Sequence, residues 1–160
     1  MSLSDVEIKI FGNNNCIKID GNNTISHIRF AIEDNQNTIE IGSHVYIGAG
    51  SLLAALEGCK ISIGEDCMIA GPCEMRTSDS HSLINMNGDR INPANDISIG
   101  RHIWIGAGCM LLKGCSIPDD SVIAARSVVT STKGFEQNSL WGGIPAKLIK
   151  KDINWNRVRI

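Results

Sequence analysis

A chain of 160 residues is long enough for one domain with a real core and short for two. Hydrophobic residues make up 42%, charged residues 20%, and the formal net charge is −2, which gives no electrostatic case for nucleic acid or an acidic membrane surface. No apolar run approaches the roughly 20 residues of a membrane span and no signal peptide opens the chain, so the expectation is one cytoplasmic domain over 1–160 with no membrane insertion.

Gly is frequent at 16 residues and aromatics are only 4%. Inside a helix each Gly costs about 1 kcal/mol against Ala, so this composition suits short strands joined by tight turns. In chain order, Ile17, Ile19-Asp20-Gly21 and Ile25 form a loose first copy of a repeat, within less regular coils expected over about 5–38. Regular coils follow over about 39–130. IGSHVYIGAGSL places aliphatic residues at 41, 47 and 53; IGEDCMIAG continues at 63 and 69, followed by Met75. From Ile99 the positions are 105, 111, 117, 123 and 129, always six apart, and four residues after the first five stand Ile103, Cys109, Cys115, Ser121 and Ser127.

Six is neither the helical 3.6 nor the plain strand period of 2. It fits a triangular solenoid in which each side is a short strand and each corner a turn, with the aliphatic residue inward. Three sides make a coil of 18 residues, the distance from Ile99 to Ile117; the step from Ile41 to Ile63 is 22, so about four residues should bulge near 55–59. Like residues then stack about 4.8 Å apart, as adjacent strands do.

Four of the six cysteines read as structural. Cys67, Cys73, Cys109 and Cys115 occupy the small inward position of the repeat, where buried Cys behaves as a small hydrophobe. Cys67, Cys73 and Cys115 fall on different sides of the triangle, and only Cys73 and Cys109 should stack. Cys16 and Cys59 lie off the clean register.

After Ile63 a continued stack would place His81, Asn87 and Pro93 inward, none of them aliphatic. Residues 76–96 are therefore read as an excursion that leaves the helix and rejoins it at Ile97, and loops on rigid scaffolds are where function concentrates. His44 and His102 fall three after an aliphatic residue, at outward surface positions, and His27 lies in the irregular N-terminal part. Only His81 sits where the repeat is given up.

The runs IGSHVYIGAGSL, IGEDCMIAG and IGRHIWIGAGCM, with the closing GGIPAKLIKK, resemble the hexapeptide-repeat acyltransferases of the sugar and polysaccharide O-acetyltransferase type over roughly 39–151. The resemblance implies an all-β, left-handed parallel β-helix with a loop at about 76–96 and a short C-terminal segment over about 131–160. It also implies acetyl-CoA as co-substrate, no metal, a saccharide or sugar-nucleotide acceptor, and a homotrimer with active sites at subunit interfaces.

TSDSHS is similar to the S/T-x-D-x-H setting of the family's base, so the resemblance makes His81 the expected catalytic residue. Acetyl transfer from a thioester needs the acceptor proton removed as the oxygen attacks, which a neutral imidazole can do without a covalent intermediate. Asp79 and Ser80 would orient it or hold the acceptor, unless Asp79 only caps a turn, and Arg90 and Asn92 suit an acceptor's hydroxyls or charged groups. Trp104 matches a family Trp beside the base and the thioester; its plainer reading is a surface aromatic at a subunit contact. Ala107 and Ala125 match the turn residues that bind pantetheine, and Lys147 and Lys150 would lie near CoA phosphates. IAARSVV departs from the family's IGAGSVV and puts Arg126 at a Gly site on the expected CoA track.

Three other functions compete. N-acetylation of an amino or nucleotide sugar, or acetylation of serine, uses similar base chemistry. A γ-type carbonic anhydrase would need a H-x4-H pair, and no two His here stand five apart. An inert β-helix scaffold leaves the His-containing break in the repeat unexplained.

Overall fold

The computed structural model describes residues 1–130 and 133–160; the expected start of the C-terminal segment, at 131, lies outside the described residues. β1 (Ser2–Phe11) opens the stack, and β2 (Cys16–Ile19) and β3 (Thr24–Glu33) make the next coil. β4 (Thr38–Ile41), β5 (Tyr46–Ile47) and β6 (Leu52–Leu56) form another, followed by β7 (Lys60–Ile63), β8 (Met68–Ile69) and β9 (Glu74–Arg76). Beyond the excursion come β10 (Ile97–Ile99), β11 (Trp104–Ile105) and β12 (Met110–Leu112), then β13 (Ser116–Ile117), β14 (Val122–Ile123) and β15 (Val128–Val129). β16 (Leu140–Gly143) and β17 (Ala146–Lys150) close the stack as an antiparallel pair.

The strands stack as three parallel faces. β2, β4, β7, β10 and β13 form the first face. β5, β8, β11, β14 and β16 form the second, and β6, β9, β12 and β15 the third; β1 and β3 are long enough to run through both. The six-residue register holds: Ile99, Ile105, Leu111, Ile117, Ile123 and Val129 are all buried, as are Ile103, Cys109, Cys115, Ser121 and Ser127. The four inward cysteines are buried free thiols, and burial pushes Cys67 and Cys115 up to about 12. The neighbouring Cys109 sulfur, together with burial, raises the Cys73 thiol above its ordinary range. Cys67, Cys73 and Cys115 are therefore packing residues, because a protonated thiol is unreactive; the contact with Cys73 lowers the buried Cys109 thiol to about 7.

The N-terminal coils are more regular than the sequence pattern implies. β1 pairs with β3 along its length, and Cys16 pairs with Thr38 and Thr38 with Lys60, a constant step of 22 residues. After the excursion the step is 18, as between Ser98 and Ser116. The additional residues sit at the corner between the third and first faces, between β1 and β2, β3 and β4, and β6 and β7. Side chains take up the backbone groups that the insertion frees: Asn15 Oδ1 accepts from the backbone and side-chain amides of Asn37 at 2.8 and 3.1 Å, and Asn37 Oδ1 accepts from Cys59 N at 3.1 Å.

The corner between the first and second faces is built from residues in the left-handed conformation: Asn22, His44, Asp66, His102, Asp120 and Asn138, with φ from 52° to 62°. Asn, Asp and His tolerate this region better than other side chains. At the corner between the second and third faces Gly50, Gly108 and Arg126 do the same, with φ of 80°, 75° and 57°. The C-terminal end is closed by Trp141, buried beneath the last pair of strands and stacked on Phe135 at 3.8 Å between ring centroids.

Candidate active site

The excursion leaves at the corner where the earlier coils carry their insertions. Thr77 and Ser78 are still buried, and Thr77 Oγ1 accepts from Leu56 N at 2.9 Å. The middle of the excursion folds back on itself as a hairpin, with Ile91 N donating to Leu83 O at 2.8 Å and Asn85 N to Asp89 O at 2.9 Å. Leu83, Ile84, Met86 and Ile91 are exposed along this arm.

His81 lies at the base of the arm and is exposed. Its surroundings are tied down by polar contacts. The buried amide of Asn92 donates both hydrogens, to Asp79 Oδ2 at 2.7 Å and to the His81 carbonyl at 2.8 Å, while its oxygen accepts from Leu83 N at 2.7 Å. Lys113, on the coil above, donates to Asp79 Oδ2 at 2.6 Å and to the Asn92 carbonyl at 3.0 Å. Ser78 Oγ accepts from Ser80 N at 2.9 Å and donates to Glu57 Oε1, which also receives Arg90. The Arg90 fork grips Glu57 at 2.5 and 2.9 Å.

These contacts explain the local charge states. The Lys113 ammonium, and then the Asn92 amide, hold the Asp79 carboxyl below its usual range. Arg90 first and Ser78 second bring Glu57 down to about 2, against a small opposing effect of burial. Asp79, Arg90 and Asn92, read from sequence as acceptor ligands, are thus engaged by protein partners, Asp79 by Lys113 and Asn92, and Arg90 by Glu57, while Ser80 sits in the left-handed region at φ 63° directly before His81.

The other expected residues gather elsewhere. Trp104 projects from β11 on the second face and is 39% exposed. The next corner carries Ala107, Ala125 and Arg126, with Arg126 N donating to Ala107 O at 2.8 Å. A Cβ added at Gly108 would meet Arg126 Cγ at 3.2 Å, so the Arg126 stem lies across that glycine. Lys147 is opposite Gly142 on β17, one strand beyond, and both Lys147 and Lys150 are exposed. The expected residues therefore fall in two separate places: the His81 loop at the third–first corner, and Trp104 with Ala107, Ala125 and Arg126 at or beside the second–third corner. The second face, which bears Trp104, lies opposite the corner that bears His81.

The C-terminal segment after β17 adds a wall that sequence reading passed over. Trp155 is buried, stacks on His102 at 4.5 Å, donates from Nε1 to the His102 carbonyl at 2.8 Å and lies 6.2 Å from the Trp104 ring. His102 is bonded to Asp66 at 2.7 Å and to the Trp155 carbonyl at 3.2 Å, and Arg157 reaches Asp66 at 3.0 Å. This corrects the reading of His102 as plain surface: the returning tail covers that corner. The only signal in the sequence was a Trp in a polar tail, which no periodicity distinguishes. Among the described residues no group of three or more His, Cys, Asp or Glu could hold a metal ion, and no helix is long and apolar enough to cross a membrane.

No family model matches the sequence. A polysialic acid O-acetyltransferase from Neisseria meningitidis is 35% identical over 173 residues, covering 94% of this chain and 80% of the relative. Among solved structures, the polysialic acid-specific acetyltransferase NeuO superposes with a TM-score of 0.79 at 27% identity, over 98% of this chain and 77% of that one. The polysialic acid O-acetyltransferase OatWY follows with a TM-score of 0.68 at 26% identity, over 100% of this chain and 93% of the other. With the stacked six-residue register, these matches identify the chain as a member of the left-handed β-helix, hexapeptide-repeat acyltransferases of the saccharide O-acetyltransferase type.

Proposed function

We propose that this protein transfers the acetyl group of acetyl-CoA to a hydroxyl of a saccharide, with His81 as general base. The observation that carries this reading is the loop itself: the long excursion from the repeat presents an exposed imidazole on a backbone beside which Asp79, Asn92 and Lys113 are tied together. A neutral His81 ring accepts the acceptor's hydroxyl proton as the oxygen attacks the thioester carbonyl. The C–S bond then breaks, and the imidazolium returns the proton to the departing CoA sulfur. Such assistance contributes about 10²–10⁴-fold.

The division into two half-sites supports a shared site. Trp104 and the alanine turns at 107 and 125 form the donor side of one copy, Lys147 and Lys150 stand ready for CoA phosphates, and the His81 loop of a neighbour closes the site. A homotrimer joins these parts in a closed ring, and the apolar arm of Leu83, Ile84, Met86 and Ile91 gains cover against the adjacent copy. The relatives' substrate makes polysialic acid the first acceptor to test.

The test is acetyl-CoA consumption across polysialic acid, free sialic acid, galactosides, amino sugars, nucleotide sugars and serine. The wild type is expected to acetylate a saccharide hydroxyl, and His81→Ala to lose about 10²–10⁴ in turnover with acetyl-CoA binding intact. Turnover near wild type in His81→Ala overturns the base assignment, and turnover confined to amines overturns O-acetylation. Light scattering on the eluted protein reads the assembly, and a monomer with full activity refutes the shared site.

A further inference from the structure

The chemistry assigned to His81 leaves one cation unexplained. Lys113 follows β12 directly, on the third face, one coil above the point where the loop departs: Leu112 pairs with Arg76, so Lys113 stands beside Thr77. An outward lysine on a solenoid usually extends into water. This one is only 21% exposed in its side chain, and it spends its ammonium on the loop, at 2.6 Å from Asp79 Oδ2 and 3.0 Å from the Asn92 carbonyl.

Both partners lead to the base. Asp79 Oδ2 receives Lys113 and Asn92 Nδ2 together, and the same Asn92 nitrogen holds the His81 carbonyl at 2.8 Å. Asn92 is buried, so its amide has little water to turn to if Asp79 moves. The chain of contacts runs from the rigid coil through Lys113, Asp79 and Asn92 to the His81 backbone. Residues 79 and 81 stand on one side of the hairpin arm and 92 on the other, so a single ammonium pins both strands of the loop at its root.

We propose that Lys113 is a positioning residue for His81, holding the loop backbone in the one placement from which the imidazole reaches the acceptor hydroxyl. The proposal rests on the reading of His81 as the base. Reacting groups must sit within fractions of an ångström of their productive positions, and a displacement of about 1 Å costs on the order of 10²-fold in rate. A loop carried on a scaffold gains that precision only when the scaffold reaches out to it. Lys113 is the scaffold residue that does so next to the base; Glu57 does so from the coil below, through Ser78 and Arg90.

The test compares Lys113→Met, which keeps the length and apolar stem of the side chain, with Lys113→Arg, which restores a cation. Two readouts are taken on the full chain. One is the ¹H–¹³C Hε1 resonance of His81, identified by its loss in His81→Ala; the other is steady-state acetylation of polysialic acid. In Lys113→Met the His81 resonance should broaden or split and kcat should fall about 10–100-fold, with KM for acetyl-CoA within about twofold, since the donor half-site is untouched. Lys113→Arg should recover a single resonance and most of kcat. A single unshifted His81 resonance in Lys113→Met with undiminished kcat overturns the proposal, as does a loss that Lys113→Arg shares in full and that tracks the thermal transition. The resonance needs no acceptor, so it reports on loop placement even where the acceptor is wrong. If His81→Ala keeps its turnover the base assignment falls and the catalytic role of Lys113 falls with it, whatever the resonance shows about the loop.

Discussion

Glu57 offers a sharp quantitative test of how the loop is held. It stands on the insertion of the coil below the excursion, and one carboxylate receives the Arg90 fork at 2.5 and 2.9 Å and the Ser78 hydroxyl. Arg90 and then Ser78 lower it from 4.5 to about 2. At about 1.4 kcal/mol per unit that shift corresponds to about 3 kcal/mol. Because 26% of the side chain remains in water, screening reduces this to about 1–2 kcal/mol. The folded pKa lies below the unfolded one, so the stabilisation is complete above about 4.5 and disappears as pH falls through about 2; at about pH 3 less than half remains.

Glu57→Gln removes the charge at nearly constant volume. Urea melts at neutral pH should show a loss of about 1–2 kcal/mol that shrinks by more than half at about pH 3. A solenoid need not unfold in one step, so the melts are paired with limited proteolysis, and cleavage within 76–96 should accelerate in the variant at neutral pH. Equal melts at neutral pH refute the reasoning. So does a deficit that persists undiminished at acid pH, because only an ionised Glu57 can hold the Arg90 arm this way.

Three further outcomes follow from other parts of the stack. Leu111→Ala, at a fully buried rung between Met75 and Val129, should cost about 2–5 kcal/mol in a denaturant melt, and a loss under 1 kcal/mol would show that the coils collapse around the void. Burial works to lower the His102 imidazole, but Asp66 and the Trp155 carbonyl outweigh it and raise it above 6.5, with Asp120 adding to Asp66 and Arg157 as the facing charges. The wild type's thermal advantage over His102→Gln should therefore be full below pH 6.5 and fade as pH rises through the elevated value, and a pH-independent difference contradicts the clasp. Arg126→Gly removes a left-handed non-glycine residue at φ 57°, which relieves about 1 kcal/mol. The unfolded-state entropy of Gly takes back part of that, so calorimetry should show a Tm rise of about 1–3 °C; a fall would mean that the Arg126 stem across Gly108 is itself stabilising.

Much of the scaffold could be read without coordinates because a stacked coil repeats its packing requirement at a constant interval. Ile99, Ile105 and Leu111 meet the same environment, so the same residue class recurs every six positions. The step of 22 was legible from Ile41 to Ile63, but the two earlier insertions escaped notice because they fall in polar turns, FGNNN and EDNQN, whose asparagines bond across coils and leave no hydrophobic rhythm. His81 stood out for the opposite reason, as the polar exception within a strict register. The engagement of Arg90 by Glu57, 33 residues away, and of His102 by Trp155, 53 residues away, has no periodic signature at all.

By itself the amino-acid sequence determined the solenoid, its inward ladders, the position of the break and the His that the break carries, since each depends on local register and on side chains matched to one repeating cross-section. Only the tertiary structure decided which partners the loop's polar residues take and where the expected site residues lie. Asp79 and Arg90 act through Lys113 and Glu57 on neighbouring coils, Asn92 ties Asp79 to the His81 backbone, and the separation of His81 from Trp104 is set by which corner and which face each occupies. Contacts between distant coils depend on how the chain is wound in space, and sequence spacing along one coil carries no record of them.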